Sequence, residues 1–111
     1  MIDAVLMDIS AAAERELERA RQQHGSVYHS LHEGYGVMAE EVQEAGDEAD
    51  LVDLELDKLL LAIRMDDRAK IVSRISTVRH NALLAACEYV QVAAVCAKMM
   101  EGAKEHGLSC G

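Results

Sequence analysis

Residues 83–100 read LLAACEYVQVAAVCAKMM, and only Glu88, Gln91 and Lys98 among them are strongly polar. The run does not alternate as a strand would. It predicts a helix that is apolar nearly all round between Leu83 and Val95. Glu88 and Gln91 lie one helical turn apart, on the same stripe as Leu84 and Val95. A carboxylate on such a stripe is costly unless it is paired or bound to a metal. An earlier segment, YGVMAEEVQEA, places Glu41 and Glu44 at the same i, i+3 spacing, so their side chains share one helix face. Two helices carrying matching polar pairs point to a divalent-cation site, with three carboxylates and the Gln91 amide oxygen facing one another if the helices pack antiparallel. Hard oxygen donors of this kind suit Mg²⁺, or Mn²⁺. Read from spacing alone, Glu41 and Glu44 also fit a solvated surface, and Glu88 also fits a carboxylate satisfied by a nearby arginine.

The chain has 111 residues, enough for a single all-α domain over residues 1–111. It has no Pro, Trp or Phe, and the abundant Ala, Leu, Glu and Arg are helix formers. Periodicity predicts a bundle of about four helices. The first covers residues 2–23, with Ile2, Val5, Leu6, Ile9, Ala13, Leu17 and Ala20 on one stripe and Gly25 as the stop signal. The second runs from a Ser30 N-cap to about residue 48, with Tyr35, Met38, Val42 and Ala45 inward. The third begins at an Asp50 N-cap and ends near residue 65, with Val52, Leu56, Leu59, Leu60 and Ile63 as its stripe. The fourth starts at Asp66 and Asp67 and reaches about residue 106, where Gly107 ends the pattern. Apolar faces this wide on a chain this short predict a homodimer or homotetramer.

A formal charge of −9 argues against a nucleic-acid polymer or an anionic membrane as partner. Glu88, Gln91 and Lys98 interrupt the longest apolar run, which argues against a membrane span. MIDAVLMDIS does not read as a signal peptide. Cys87, Cys96 and Cys110 lack C-x-x-C spacing and fit a reducing cytosol, with Cys87 and Cys96 as small core residues and Cys110 in a frayed tail. The expected location is cytoplasmic. His29 and His32 have H-x-x-H spacing but lack a further zinc ligand. Asp53, Glu55 and Asp57 alternate like the start of an EF-hand loop, but Lys58 occupies the glycine position and Arg64 the bidentate glutamate position.

Three stretches, AERELERARQQHG, HSLHEGYGVMAEEVQEA and CEYVQVAAVCAKM, resemble the MazG-like branch of the all-α nucleoside triphosphate pyrophosphohydrolases. The likeness is to the short stand-alone members carried by phages and bacteria, and it covers about two thirds of the chain. The family binds Mg²⁺ through E-x-x-E on one helix and E-x-x-D on a later one. Carried onto this sequence, these are Glu41 and Glu44, then Glu88 and Gln91. The resemblance implies hydrolysis of a nucleoside triphosphate to monophosphate and pyrophosphate in an oligomeric, cytosolic helical protein. It implies that Glu41 and Glu44 carry the catalytic role and that His32 lines the substrate pocket. Two departures stand out. Gln91 replaces the family's Asp and removes a negative charge, and a long insert, DLVDLELDKLLLAIRMDDRAKIVSRIS, separates Glu44 from Glu88. Within it and just beyond, Arg64, Arg68, Lys70, Arg74 and Arg79 are the cations nearest to hand for a triphosphate, though each also fits a solvated surface. Two other functions stay open: a catalytically degenerate relative that binds nucleotide or metal, and a helical assembly or adaptor protein.

Overall fold

Local signals set the ends of each helix. The computed structural model describes residues 2–110, which form α1 (Ile2–His24), α2 (Leu31–Arg64) and α3 (Arg68–Glu105), with no strand among the described residues. Gly25 ends α1 with a φ of +90° and a hydrogen bond from its N–H to the Arg21 carbonyl at 2.9 Å. Ser30 caps α2, its Oγ accepting the Glu33 N–H at 3.1 Å. The Glu33 carboxylate reaches back past the cap to accept the His29 N–H at 3.4 Å. Asp67 caps α3 by accepting the Lys70 N–H at 3.1 Å.

The helix count differs from the sequence expectation. The second and third predicted helices are one continuous helix, α2, and the fourth does not break near His80 and Asn81. Gly46 and Asp50 are weak helix formers, but neither ends a helix by itself without a proline or a left-handed residue nearby. Ala45, with no exposed surface, anchors that stretch by packing.

The chain falls into two compact units: the residues up to Val42 together with those from Tyr89 on, and Gln43–Glu88. In the first, Leu17, Tyr28, Ala94 and Val95 are buried. Gly34 lets the Met99 side chain lie against α2, because a Cβ there would stand 2.7 Å from Met99 Cγ. Arg21 and Glu101 form an ion pair between α1 and α3. After Gly107, at a φ of +62°, the chain turns back. Leu108 donates its N–H to Gly102 at 2.8 Å, and the Ser109 carbonyl accepts the Leu31 N–H at 2.9 Å. The tail at Cys110 is thus tied to the start of α2 rather than frayed, since these contacts satisfy backbone groups that a free end would leave to water.

The second unit is a helical hairpin turned by Met65–Asp67, with Asp66 in the left-handed region at a φ of +50°. Ala45, Ala62 and Ala85 make its small core. Glu55 is buried beside it and bonds to Lys58 at 3.1 Å and Arg74 at 3.4 Å.

Many apolar residues expected inside are exposed in the single chain. Ile2, Val5, Leu6 and Ile9 line an open apolar groove. Tyr35, Val42, Leu56, Leu60, Ile63 and Cys87 are also exposed. Three helices offer too few neighbours to cover apolar faces as wide as these. α3 is long and apolar enough to cross a membrane by length and composition alone, and most of its apolar stretch is unburied in the single chain.

Candidate functional site

Glu41 and Glu44 sit one turn apart on α2, which runs unbroken through Val42 and Gln43. Glu88 comes from α3. Glu44 and Glu88 both belong to the hairpin unit, where one carboxylate oxygen of each lies within 4.8 Å of the other. Glu41 and Glu88 are half-buried and Glu44 is exposed. An octahedral Mg²⁺ bound at its usual distance needs ligand oxygens about 3–4 Å apart. Hard anionic oxygens of this kind match the chemistry of Mg²⁺ or Mn²⁺. Of the glutamates singled out from the sequence, Glu44 and Glu88 are thus brought together within the hairpin unit.

Gln91, the fourth residue of the sequence set, is half-buried and donates its Nε2 to Glu16 Oε2 at 2.9 Å. That bond ties α3 to α1. Arg19 donates to the same Glu16 oxygen at 2.8 and 3.0 Å. The hydrogen bond from Arg19, then the one from Gln91, holds the Glu16 carboxyl below its ordinary value of 4.5. A carboxylate with a depressed folded pKa contributes stability that is present above the ordinary value and lost as pH falls through the folded one. Gln91→Leu is therefore expected to cost roughly 0.5–1 kcal/mol at neutral pH. The gap from wild type should close in acid, as urea unfolding at about pH 7 and about pH 3 would report.

The first unit holds a cleft of about 380 Å³ whose walls include Arg19, Tyr28, Glu33, Glu41, Gln91 and Lys98. Its size is in the range of small-molecule sites. Glu41, one turn before Glu44 on α2, belongs to this wall. Lys98 is only 4% exposed, and its Nζ lies 4.2 Å from the Tyr28 ring centroid. Burial pulls the Lys98 ammonium below its usual pKa. Burial, followed by the negative charges of Glu33 and Glu41, pushes the Tyr28 hydroxyl up.

His32 does not join this wall. It is exposed, and its Nδ1 is hydrogen-bonded with the Cys110 carbonyl of the returning tail. His24 takes a place in the cleft instead. The cations that face the cleft are Arg19 and Lys98, whereas Lys58, Lys70 and Arg74 gather around a separate apolar pocket in the hairpin. Comparison of the chain with family models, with curated proteins and with solved structures returns no match.

Glu16, Tyr28 and Lys98 were not legible as site residues. Glu16 sits in a run of alternating charges that looks like any solvated helix face. Lys98 gave the one usable signal, a lone cation inside a long apolar run.

Proposed function

We propose that the protein is a divalent-metal-dependent nucleoside triphosphate pyrophosphohydrolase of the MazG-like type, releasing pyrophosphate and a nucleoside monophosphate. The approach of Glu44 to Glu88 from two helices of the hairpin unit is the observation that carries this reading, and the place of Glu41 in the wall of a ligand-sized cleft supports it. Glu41, Glu44 and Glu88 would hold the ion. Mg²⁺ or Mn²⁺, when bound, supplies neutralisation of phosphate charge. Water attacks the α-phosphorus, the bond from that phosphorus to the bridging oxygen breaks, and pyrophosphate leaves. Glu44 is the exposed member of the triplet and is the one suited to take the proton from the attacking water.

A cytoplasmic location and a homodimer or homotetramer belong to the same proposal. A second copy would cover the exposed stripes of Ile2, Val5, Leu6 and Ile9. Glu88, Gln91 and Lys98 would each be costly in hydrocarbon, which favours a core role for α3 over a membrane role. Pyrophosphate release from a panel of dNTPs and NTPs with Mg²⁺ or Mn²⁺ tests the proposal. Release is the expected result, and a silent panel would refute it.

Gln91 favours one second reading, a degenerate relative that binds metal and nucleotide with little turnover. Ligand charge sets affinity for hard cations. Gln91→Asp is therefore expected to tighten Mn²⁺ binding about tenfold and to raise turnover at limiting metal. Calorimetric titration with Mn²⁺ checks it, and unchanged affinity would remove Gln91 from the ligand set.

A further inference from the structure

We propose that Lys98 is the anion-holding residue of the cleft, and that what it holds is the phosphate chain of a nucleotide. This rests on the nucleotide reading of the Glu41, Glu44 and Glu88 triplet and adds to it the residue that grips the phosphates.

An ammonium that is 4% exposed is costly to keep charged without a counter-charge. The Tyr28 ring beneath it offsets part of that cost. Glu33 and Glu41 share the cleft wall, and Arg19 is the other cation there. Arg19 already bonds to Glu16 and, at 2.8 Å, to Gln23. Arg21, on the same helix, is paired with Glu101 and Glu18. Lys98 is therefore the cation with most to gain from an incoming anion.

Position agrees with this role. Lys98 lies two helical turns beyond Gln91 on α3, about 10 Å along the axis, and both face the cleft that Glu41 also lines. A phosphate chain that enters this cleft beside Glu41 and Gln91 is within the cleft that Lys98 also lines. Lysine binds phosphate as a point charge on a flexible stem, without the fixed fork that arginine needs. The burial that lowers the Lys98 pKa also strengthens its attraction for an anion, because the surroundings screen it less.

The test uses inorganic tripolyphosphate, titrated calorimetrically into the wild-type protein and into Lys98→Met and Lys98→Arg in the presence of Mg²⁺. Wild type is expected to bind, Lys98→Met to bind at least tenfold more weakly, and Lys98→Arg to fall between. Mn²⁺ affinity without phosphate should be the same in all three. A purely structural lysine would lower the melting midpoint in Lys98→Met and leave tripolyphosphate affinity at the wild-type level, which would overturn the assignment. Absence of tripolyphosphate binding by wild type would overturn it too. If Lys98→Met does not fold, affinity partly kept in Lys98→Arg and lost in Lys98→Gln decides for the assignment, and equal affinity in both decides against it. Failure here is separable from failure of the hydrolase proposal. NTP hydrolysis with the same KM in wild type and Lys98→Met would remove Lys98 and keep the enzyme. A silent NTP panel with Lys98-dependent tripolyphosphate binding would do the reverse.

Discussion

Glu88→Gln is expected to reduce kcat/KM for pyrophosphate release by at least about a hundredfold. The substitution keeps the volume of a half-buried side chain and removes only its charge. With Gln91 already neutral, the ligand set would fall from three anionic carboxylates to two. Hard divalent cations are held by ligand charge, so most of the loss should appear as a higher metal requirement. Excess Mn²⁺ should then recover part of the activity, and EDTA should abolish that of the wild type. Glu41→Gln should behave alike, since Glu41 lines the cleft one turn from Glu44. Asp53→Asn, an exposed change on the hairpin, should leave turnover at the wild-type level. Steady-state kinetics across a Mn²⁺ series, with circular dichroism as the fold control, measures all of these. Wild-type activity in Glu88→Gln would remove the triplet from the chemistry.

The second large effect concerns stability. Glu55→Ala is expected to destabilise the protein by about 2 kcal/mol, and to lower the melting midpoint by several degrees. The Glu55 side chain is 10% exposed and accepts from both Lys58 and Arg74. Removing one partner of a fully buried pair costs about 3–5 kcal/mol. The smaller figure applies here because Arg74 and Lys58 are 35% and 44% exposed and can return to water. Glu55→Leu should recover part of the loss, because an apolar side chain of similar size needs no partner. Glu55 is neither a cleft-lining residue nor one of the clustered glutamates, so turnover per folded molecule should not change. A loss below about 0.5 kcal/mol in urea unfolding would show that the pair carries no stability.

What could be read from the sequence follows from the range of each interaction. Gly25, Ser30, Asp67 and Gly107 act on backbone groups within a few residues, so their roles as stops and caps were visible. Glu41, Glu44 and Glu88 stood out as candidates because a polar pair at helical spacing contrasts with its apolar flanks. Continuity of α2 through Gly46 and Asp50 was not, because weak local preferences there are overridden by the packing of Ala45. Lys98 over Tyr28, Gln91 on Glu16 and Glu55 on Arg74 join residues far apart in the chain, and no local pattern signals such pairs. The apolar stripe on α1 was legible from its spacing, and its width on a short chain was read as more than one chain could cover. Its exposure follows from having too few helices to bury it.

Electron paramagnetic resonance of a Mn²⁺ titration tests most directly whether Glu41, Glu44 and Glu88 hold an ion. One Mn²⁺ bound per chain in the wild type, lost in Glu88→Gln and in Glu41→Gln while both keep their helical fold, is the expected result. Absence of bound Mn²⁺ in the wild type, or binding that either substitution leaves unchanged, would contradict it.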